Sequence, residues 1–230
     1  YGGNGTQGFL DLKKHPSGGY IACGGNKAID GSGDIYAMRL DDNLEVIWES
    51  TIAQNGFQFA YTIDIIEDNG YFIVGKGLIT LGTAQIIAMK IDDYGQLEWH
   101  QLLGGEGNND GRHTGKVLND GNLLVAASKG HSSSDKDPYL CKLSDSGEII
   151  WEKSFQTGGN QSFSTNILEL FDGSLVVGGG KYVFGTRYSS ITKLSEEGEP
   201  IWEQLYHGRL PIDSYFYGIN QLENNKFIAY

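Results

Sequence analysis

The sequence is poor in the residues that mark several common classes of protein. Its two cysteines, Cys23 and Cys141, form no CxxC or metal-like pair, so buried free thiols are favoured over a disulfide. No run approaches 18 consecutive apolar residues, which leaves no candidate transmembrane helix. Lys and Arg total 17 against 29 Asp and Glu, for a formal net charge of -12. This shortage of basic residues argues against nucleic acid or an anionic membrane as a partner.

Glycine, by contrast, is abundant. There are 34 glycines but only 4 prolines in 230 residues, and 39% of the chain is hydrophobic. This composition suits a folded, soluble chain with many tight turns between strands, and it fits neither collagen nor a disordered linker.

The four tryptophans recur at a fixed period. Trp48, Trp99, Trp151 and Trp202 are separated by 51, 52 and 51 residues, and each ends a similar phrase such as GEIIW or GEPIW. A turn followed by a small-residue strand recurs in phase, with glycines at Gly19, Gly70, Gly121 and Gly173. A period near fifty residues indicates one supersecondary unit copied several times.

Each repeat predicts four short strands. In the fourth repeat they are about 162–170, 174–179, 188–194 and 200–206, joined by a two-residue DG hairpin, a longer variable loop and a second short turn. Leu44 replaces the glycine of that second turn in the first repeat, which leaves its turn type open.

Four antiparallel strands per fifty residues predict an all-β fold, a β-propeller. The chain forms one propeller domain, 1–230, with blades at about 1–51, 52–102, 103–154 and 155–205 and a partial blade at 206–230. Half a blade leaves an exposed sheet edge, so we expect a truncated C-terminus and a complete ring of seven or eight blades. The four tryptophans are predicted to wedge successive blades together.

Two resemblances support this prediction. The stretches YLCKLSDSGEIIW and ITKLSEEGEPIW resemble the tryptophan-docking motif of quinoprotein-like propellers. The whole repeat, including DGSLVVGGG, is similar to repeats of secreted and surface-anchored bacterial proteins, including cargo of the type IX secretion system. The resemblance implies a propeller in an extracellular or cell-envelope location. It implies no quinone chemistry, and no cofactor is predicted.

One loop concentrates polar side chains. GGEGNNDGRHTGK contains Glu106, Asp110, Arg112 and His113 and leads into the innermost strand of its blade, so these residues are candidates for a ligand or acid–base site at the central channel. A merely solvated loop is the favoured alternative.

Aromatic residues and one acidic loop give two further candidates. Tyr61 and Tyr215 are predicted at the channel mouth, where they either stack on sugars or pack between inner strands. In DGSGD, Asp30, Ser32 and Asp34 alternate like calcium ligands but lack the later bidentate Glu of an EF-hand, so no metal site is predicted.

Two function classes follow. The favoured one is a non-catalytic secreted or envelope scaffold that binds another protein or a glycan, since no catalytic motif is found. The alternative is a glycan-active hydrolase or lyase with its site over the channel, which requires carboxylates converging at the axis.

Overall fold

The computed structural model describes residues 6–27, 33–52, 57–67, 69–80, 83–105, 109, 113–132, 135–155, 162–183, 186–206, 219–221 and 227–229. All regular elements in these ranges are β-strands, and none of the described segments is a helix that would traverse a bilayer. The all-β class predicted from the period of two is confirmed.

The strands fall into four antiparallel four-stranded units and a last two-stranded pair, which we number units 1 to 5. Unit 1 has β1 (Thr6–Lys14), β2 (Tyr20–Lys27), β3 (Gly33–Leu40) and β4 (Val46–Ile52). Unit 2 has β5 (Phe57–Ile65), β6 (Tyr71–Thr80), β7 (Thr83–Ile91) and β8 (Leu97–Leu103). Unit 3 has β9 (Thr114–Val117), β10 (Leu123–Ser132), β11 (Asp135–Leu143) and β12 (Ile149–Ser154). Unit 4 has β13 (Ser162–Glu169), β14 (Leu175–Val183), β15 (Thr186–Leu194) and β16 (Pro200–Tyr206), and unit 5 has β17 (Ile219–Gln221) and β18 (Phe227–Ala229).

Within a unit, each strand pairs with the next along the chain, as in a propeller blade. A single parallel pair, Gly33 with Phe57, also links units 1 and 2. The first strands of successive units contact one another, from β1 to β5, β9, β13 and β17. The units are therefore arranged around a shared axis with their first strands innermost.

The middle hairpins are longer than the sequence predicts. The loop assigned to KYVFGTR is largely ladder, because Lys181 pairs with Tyr188 and Val183 with Thr186. In unit 2 the ladder likewise reaches Thr80 and Thr83. These segments lack a clean apolar–polar alternation, so the strands predicted from that pattern are shorter than the observed ones.

The short turns also differ from the predicted two-residue hairpin. The Leu170 N–H donates to the Ser174 carbonyl at 2.8 Å and the Gly173 N–H to the Leu170 carbonyl at 3.0 Å, which encloses a three-residue loop. Gly173 has φ 78°, the left-handed residue of a type I turn with a G1 bulge. The same bonds run from His15 to Gly18 and Gly19, so Gly173 corresponds to Gly18 and not to Gly19.

Leu44 keeps the turn that glycine makes in the other units. Its N–H donates to the Asp41 carbonyl at 3.1 Å, as the Gly95 N–H donates to that of Asp92 at 3.0 Å. Leu44 has φ 66°, and no other described non-glycine residue has a positive φ. The first unit therefore forms the same turn as the other units, although leucine is strained in this backbone conformation.

Hydrophobic clusters lie between neighbouring units, and three indoles pack at their edges. Trp48, Trp99 and Trp151 contact the clusters between units 1 and 2, 2 and 3, and 3 and 4 respectively. Trp202, in the fourth unit, is 41% exposed.

Each of the three packed rings lies on the turn glycine of the following unit. A Cβ on Gly95 would lie 2.8 Å from Trp48, one on Gly147 2.7 Å from Trp99, and one on Gly198 2.8 Å from Trp151. The Trp48 and Trp99 Nε1–H groups donate to the carbonyls of Asp93 and Asp145 at 2.8 and 2.9 Å. Ring packing and hydrogen bond together join one unit to the next turn.

Candidate functional site: the axial cavity

A cavity of about 500 Å³ lies where the first strands meet. Its wall includes residues of the first strand of every unit, which are β1, β5, β9, β13 and β17, and also the residue just before β9. Five units therefore surround it. The volume lies within the range of small-molecule sites in proteins. Most of the lining residues fall into three sets of equivalent repeat positions.

The first set sits on β-bulges. Leu10, Tyr61 and Thr165 are each the extra residue where the ladder between the first and second strands shifts register. His113 holds the same repeat position, directly before β9. A bulge redirects a side chain out of the regular alternation, and here Leu10, Tyr61 and His113 line the cavity.

Tyr61 and His113 form an aromatic wall. Their ring centroids are 5.6 Å apart with planes at 89°, an edge-to-face pair. Phe59 also packs against Tyr61, with centroids 4.8 Å apart and planes at 74°. The two rings come from adjacent units, so the wall exists only when the units are assembled.

The second set is polar and consists of Asp11, Thr62, Thr114 and Asn166, aligned through their partners on the second strands. Asp11 Oδ2 accepts the Ile63 N–H of the next unit at 3.0 Å, and Thr62 Oγ1 accepts the Gly115 N–H at 2.9 Å. Each bond satisfies an N–H on the inner edge of a first strand, which would otherwise have no sheet partner.

The third set carries the charge. Its members are Lys13, Asp64, Lys116, Leu168 and Asn220, spaced by 51 and then 52 residues. All of them except Asp64 line the cavity. Lys13 Nζ lies 2.6 Å from Asp64 Oδ1 and Lys116 Nζ 3.6 Å from Asp64 Oδ2. Asp64 Oδ2 also accepts the backbone N–H of Val117 at 2.8 Å. The aspartate side chain is 11% exposed and the two lysines 33% and 36%, so both ammonium groups remain accessible.

The structure brings together only some of the residues predicted for a site. Tyr61 and His113 meet at the cavity, whereas Glu106, Asp110, Arg112 and Tyr215 lie outside the described residues. Of the weak metal candidates, Asp30 and Ser32 also lie outside them, and Asp34 is half-buried in β3 opposite Asn26. Within the described ranges, no three His, Cys, Asp or Glu residues converge as a metal site would require.

The row of charges around Asp64 was not predicted from the sequence. The signal was present, because Lys13, Asp64 and Lys116 share the period of the tryptophans. Aligning the first strands of the repeats would have revealed a lysine, an aspartate and a lysine at one position. The bulges were not recognisable, since they depend on the register between strands.

The two thiols lie away from this chemistry. Cys23 and Cys141 are free and buried in clusters between units, as predicted. Burial raises the pKa of Cys141 to about 11 and that of Cys23 well above its ordinary value, so neither is a reactive thiolate near neutral pH.

Comparisons with known proteins bear on the fold. No protein-family model matches the sequence, and no curated protein matches it. The chain is similar to the endo-arabinase from Bacteroides thetaiotaomicron VPI-5482, with a TM-score of 0.50 and 10% sequence identity over 98% of this chain and 88% of that one. A second solved structure, Sqt1 from Chaetomium thermophilum, aligns with a TM-score of 0.41 and 14% identity over 93% of this chain and 64% of that one. The endo-arabinase match shows the β-propeller architecture.

Proposed function

We propose that the protein is a non-catalytic β-propeller that binds a glycan, with one sugar unit held in the axial cavity. The observation that carries this proposal is the cavity of about 500 Å³ walled by the Tyr61–His113 pair. Sugar rings present an apolar face that stacks on aromatic side chains and a rim of hydroxyls that hydrogen-bond. Amides and hydroxyls at Asn166, Asn220 and Thr114 line the same space.

The charges favour a neutral ligand. Lys13 and Lys116 both pair with Asp64, and Asp11 lines the same cavity, so two cations and two anions at or beside the cavity balance. A strongly charged ligand would compete with these internal pairs and leave one partner uncompensated. A neutral sugar hydrogen-bonds to the accessible ammonium groups without that cost.

The carboxylates support binding over hydrolysis. Glycoside hydrolysis requires a carboxylic acid and a second carboxylate about 5 to 10 Å apart, both addressing the substrate. Asp64 is bound by two lysines and the Val117 N–H. Asp11 accepts the N–H groups of Leu12 and Ile63. Asp11, in the described part of the cavity wall, and Asp64, which is bound to two lysines of that wall, are therefore both engaged in holding the inner strands together.

The alternative is a glycan-active hydrolase or lyase. The solved endo-arabinase is itself named as such an enzyme. At 10% identity that likeness carries the fold alone, so the alternative depends on a direct assay.

Calorimetric titration with neutral oligosaccharides, including arabino-oligosaccharides, tests the proposal. Tyr61→Ala is expected to weaken binding about 10-fold, which corresponds to about 1.4 kcal/mol of stacking. Phe171→Ala removes a 91% exposed aromatic away from the cavity and serves as the matched control with unchanged affinity. Release of reducing ends from the same oligosaccharides would favour the enzyme, and equal affinities of the two variants would contradict the cavity as the site.

We also propose an extracellular or cell-envelope location, where a glycan or a second protein is the natural partner. The support is the resemblance of the repeat to secreted and surface-anchored propellers. Fractionation of the source cells with an antibody against this chain tests it, and recovery of the protein in the cytosol would contradict it.

A further inference from the structure

A basic residue recurs near the end of the third strand of each four-stranded unit. Arg39, Lys90, Lys142 and Lys193 are spaced by 51, 52 and 51 residues. Arg39 is 6% exposed, Lys90 3% and Lys142 6%. A cation at such a depth requires compensation by an anion or by several hydrogen bonds.

The three lysines are each paired with carboxylates. Lys142 Nζ lies 2.7 Å from Asp120 Oδ2, and Lys193 Nζ lies 3.3 Å from Asp172 Oδ2. Lys90 Nζ lies 2.8 Å from an Asp145 oxygen and 3.2 Å from Glu98 Oε2. Charge compensation at this position is therefore provided by a side chain in units 2, 3 and 4.

Arg39 has no such partner among the described residues. Its Nη2 donates to the Gly18 carbonyl at 2.6 Å and to Ser17 Oγ at 3.3 Å, and its Nη1 donates to the carbonyls of Tyr20 and Leu40. These partners are dipoles without net charge. Arg39 is thus held by neutral oxygen acceptors and forms no direct ion pair with a carboxylate of the described residues.

Ser17 stands where the other units have aspartate. By the turn register it corresponds to Asp120 and Asp172, the partners of Lys142 and Lys193, and in sequence to Asp68. Serine removes the negative charge and is smaller than aspartate. At this position the first unit therefore has a small hydroxyl group where units 3 and 4 place a carboxylate beside their lysine.

A cavity of about 400 Å³ opens at this place, between units 1 and 2. Arg39, Ser17 and His15 form its polar end, with Ser17 Oγ 2.8 Å from His15 Nδ1. Trp48 and Tyr71 form an apolar wall, with ring centroids 5.8 Å apart.

We propose that this cavity binds a small monocarboxylate with an apolar or aromatic body. The ligand carboxylate takes the place of the missing aspartate beside Arg39 and Ser17, and its body packs against Trp48. Binding would neutralise a buried guanidinium, a charge-assisted contact that a neutral ligand does not offer. The site is distinct from the axial cavity and does not depend on the proposed glycan binding.

Two exposed carboxylates at the cavity, Glu67 and Asp93, restrict the ligand further. They repel anions and so disfavour a ligand with more than one negative charge. Because they are exposed, solvent and salt screen this repulsion more than they screen the contact with Arg39. Replacing one of them by its amide is therefore expected to strengthen binding of a monoanion.

Titration of the full chain with 3-phenylpropionate and with its neutral isostere 3-phenylpropionamide tests the proposal. We expect the carboxylate to bind at least 10-fold more tightly than the amide, and Asp93→Asn to tighten carboxylate binding about 2- to 5-fold. Equal binding of the two probes, or binding of neither, would overturn the proposal.

The repeat itself supplies the matched variants. Ser17→Asp restores the residue found in the other units and is expected to abolish carboxylate binding while the urea midpoint stays level or rises. Asp120→Ser removes the partner of Lys142 and is expected to lower the urea midpoint without affecting the probe at the first site. Unchanged probe affinity in a folded Ser17→Asp variant would place the ligand elsewhere and refute the assignment.

Discussion

Replacing Gly147 with alanine is expected to lower the free energy of unfolding by about 4 kcal/mol. Gly147 has φ 84°, where an L-residue costs about 1–2 kcal/mol. The added Cβ would lie 2.7 Å from Cδ2 of Trp99, so the indole must move, and such overpacking costs typically 1–3 kcal/mol. Moving the ring also stretches the 2.9 Å bond from Trp99 Nε1 to the Asp145 carbonyl, a contribution of about 1 kcal/mol. The unfolded alanine variant has less conformational entropy than the unfolded glycine protein, which offsets about 0.4–1 kcal/mol of this destabilisation.

Gly121 provides the control within the same unit. It has φ 80°, and a Cβ there would have no heavy atom within 4 Å, so Gly121→Ala carries the backbone cost alone, about 1 kcal/mol net. Urea unfolding followed by circular dichroism measures both variants, and tryptophan fluorescence reports on the indole. The expected difference between them is about 3 kcal/mol, the sum of the packing and hydrogen-bond terms above. Equal destabilisation would refute the claim that the indole contact joins one unit to the next.

Three further outcomes are expected. Leu44→Gly relieves a φ of 66° and should raise the free energy of unfolding by about 0.5–1 kcal/mol, measured by urea titration; a lower midpoint would contradict the strain. Asp64→Asn removes the anion shared by Lys13 and Lys116 and should cost about 1 kcal/mol at low salt, discounted for the exposure of the lysines. This loss should shrink in 1 M NaCl, and a loss independent of salt would rule out an electrostatic origin. The pKa of Cys141 is raised from 9.0 to about 11, so on raising the pH the unfolded chain loses this proton before the folded chain does. The stability that depends on this thiol should therefore be intact below about pH 9 and fall between pH 9 and 11. Cys141→Ala should flatten this decline in the urea midpoint, and an unchanged slope would contradict the argument.

The architecture was predictable because its signals are local and repeated. Trp99 and Trp151 recur with the period of one unit, and strand alternation within a repeat set the strand number. The limits of the strands were harder to predict. Residues such as Lys181 and Val183 pair in the ladder although their neighbours show no clean alternation. Hairpin length depends on partner strands, which a one-dimensional pattern does not encode.

The candidate site was predictable only in part. His113 and Tyr61 stood out as a polar and an aromatic residue at the start of first strands, and both line the axial cavity. Their edge-to-face contact depends on a β-bulge and on the angle between two units. The ion pair of Lys13 with Asp64 bridges two units in the same way. The period shows that residues 51 positions apart are equivalent, but it does not show that they touch. Such contacts can be predicted only once the first strands are known to lie side by side around the central axis.

Departures from the repeat separate positions that serve packing from those open to ligand chemistry. Gly95, Gly147 and Gly198 are identical because a backbone constraint and an indole act on each of them at once. On the first strands, by contrast, the hydrogen bonds that Asp11 and Thr62 accept from the next unit fix the backbone at the inner edge of the sheet. They do not involve the side chain of the bulge residue, so its type can differ from unit to unit. That position holds leucine, tyrosine, histidine and threonine in turn, at Leu10, Tyr61, His113 and Thr165, a variety that packing alone does not require. Ser17 is a departure of the same kind, since Arg39 is held there by carbonyl and hydroxyl oxygens, whereas Lys142 and Lys193 are paired with an aspartate.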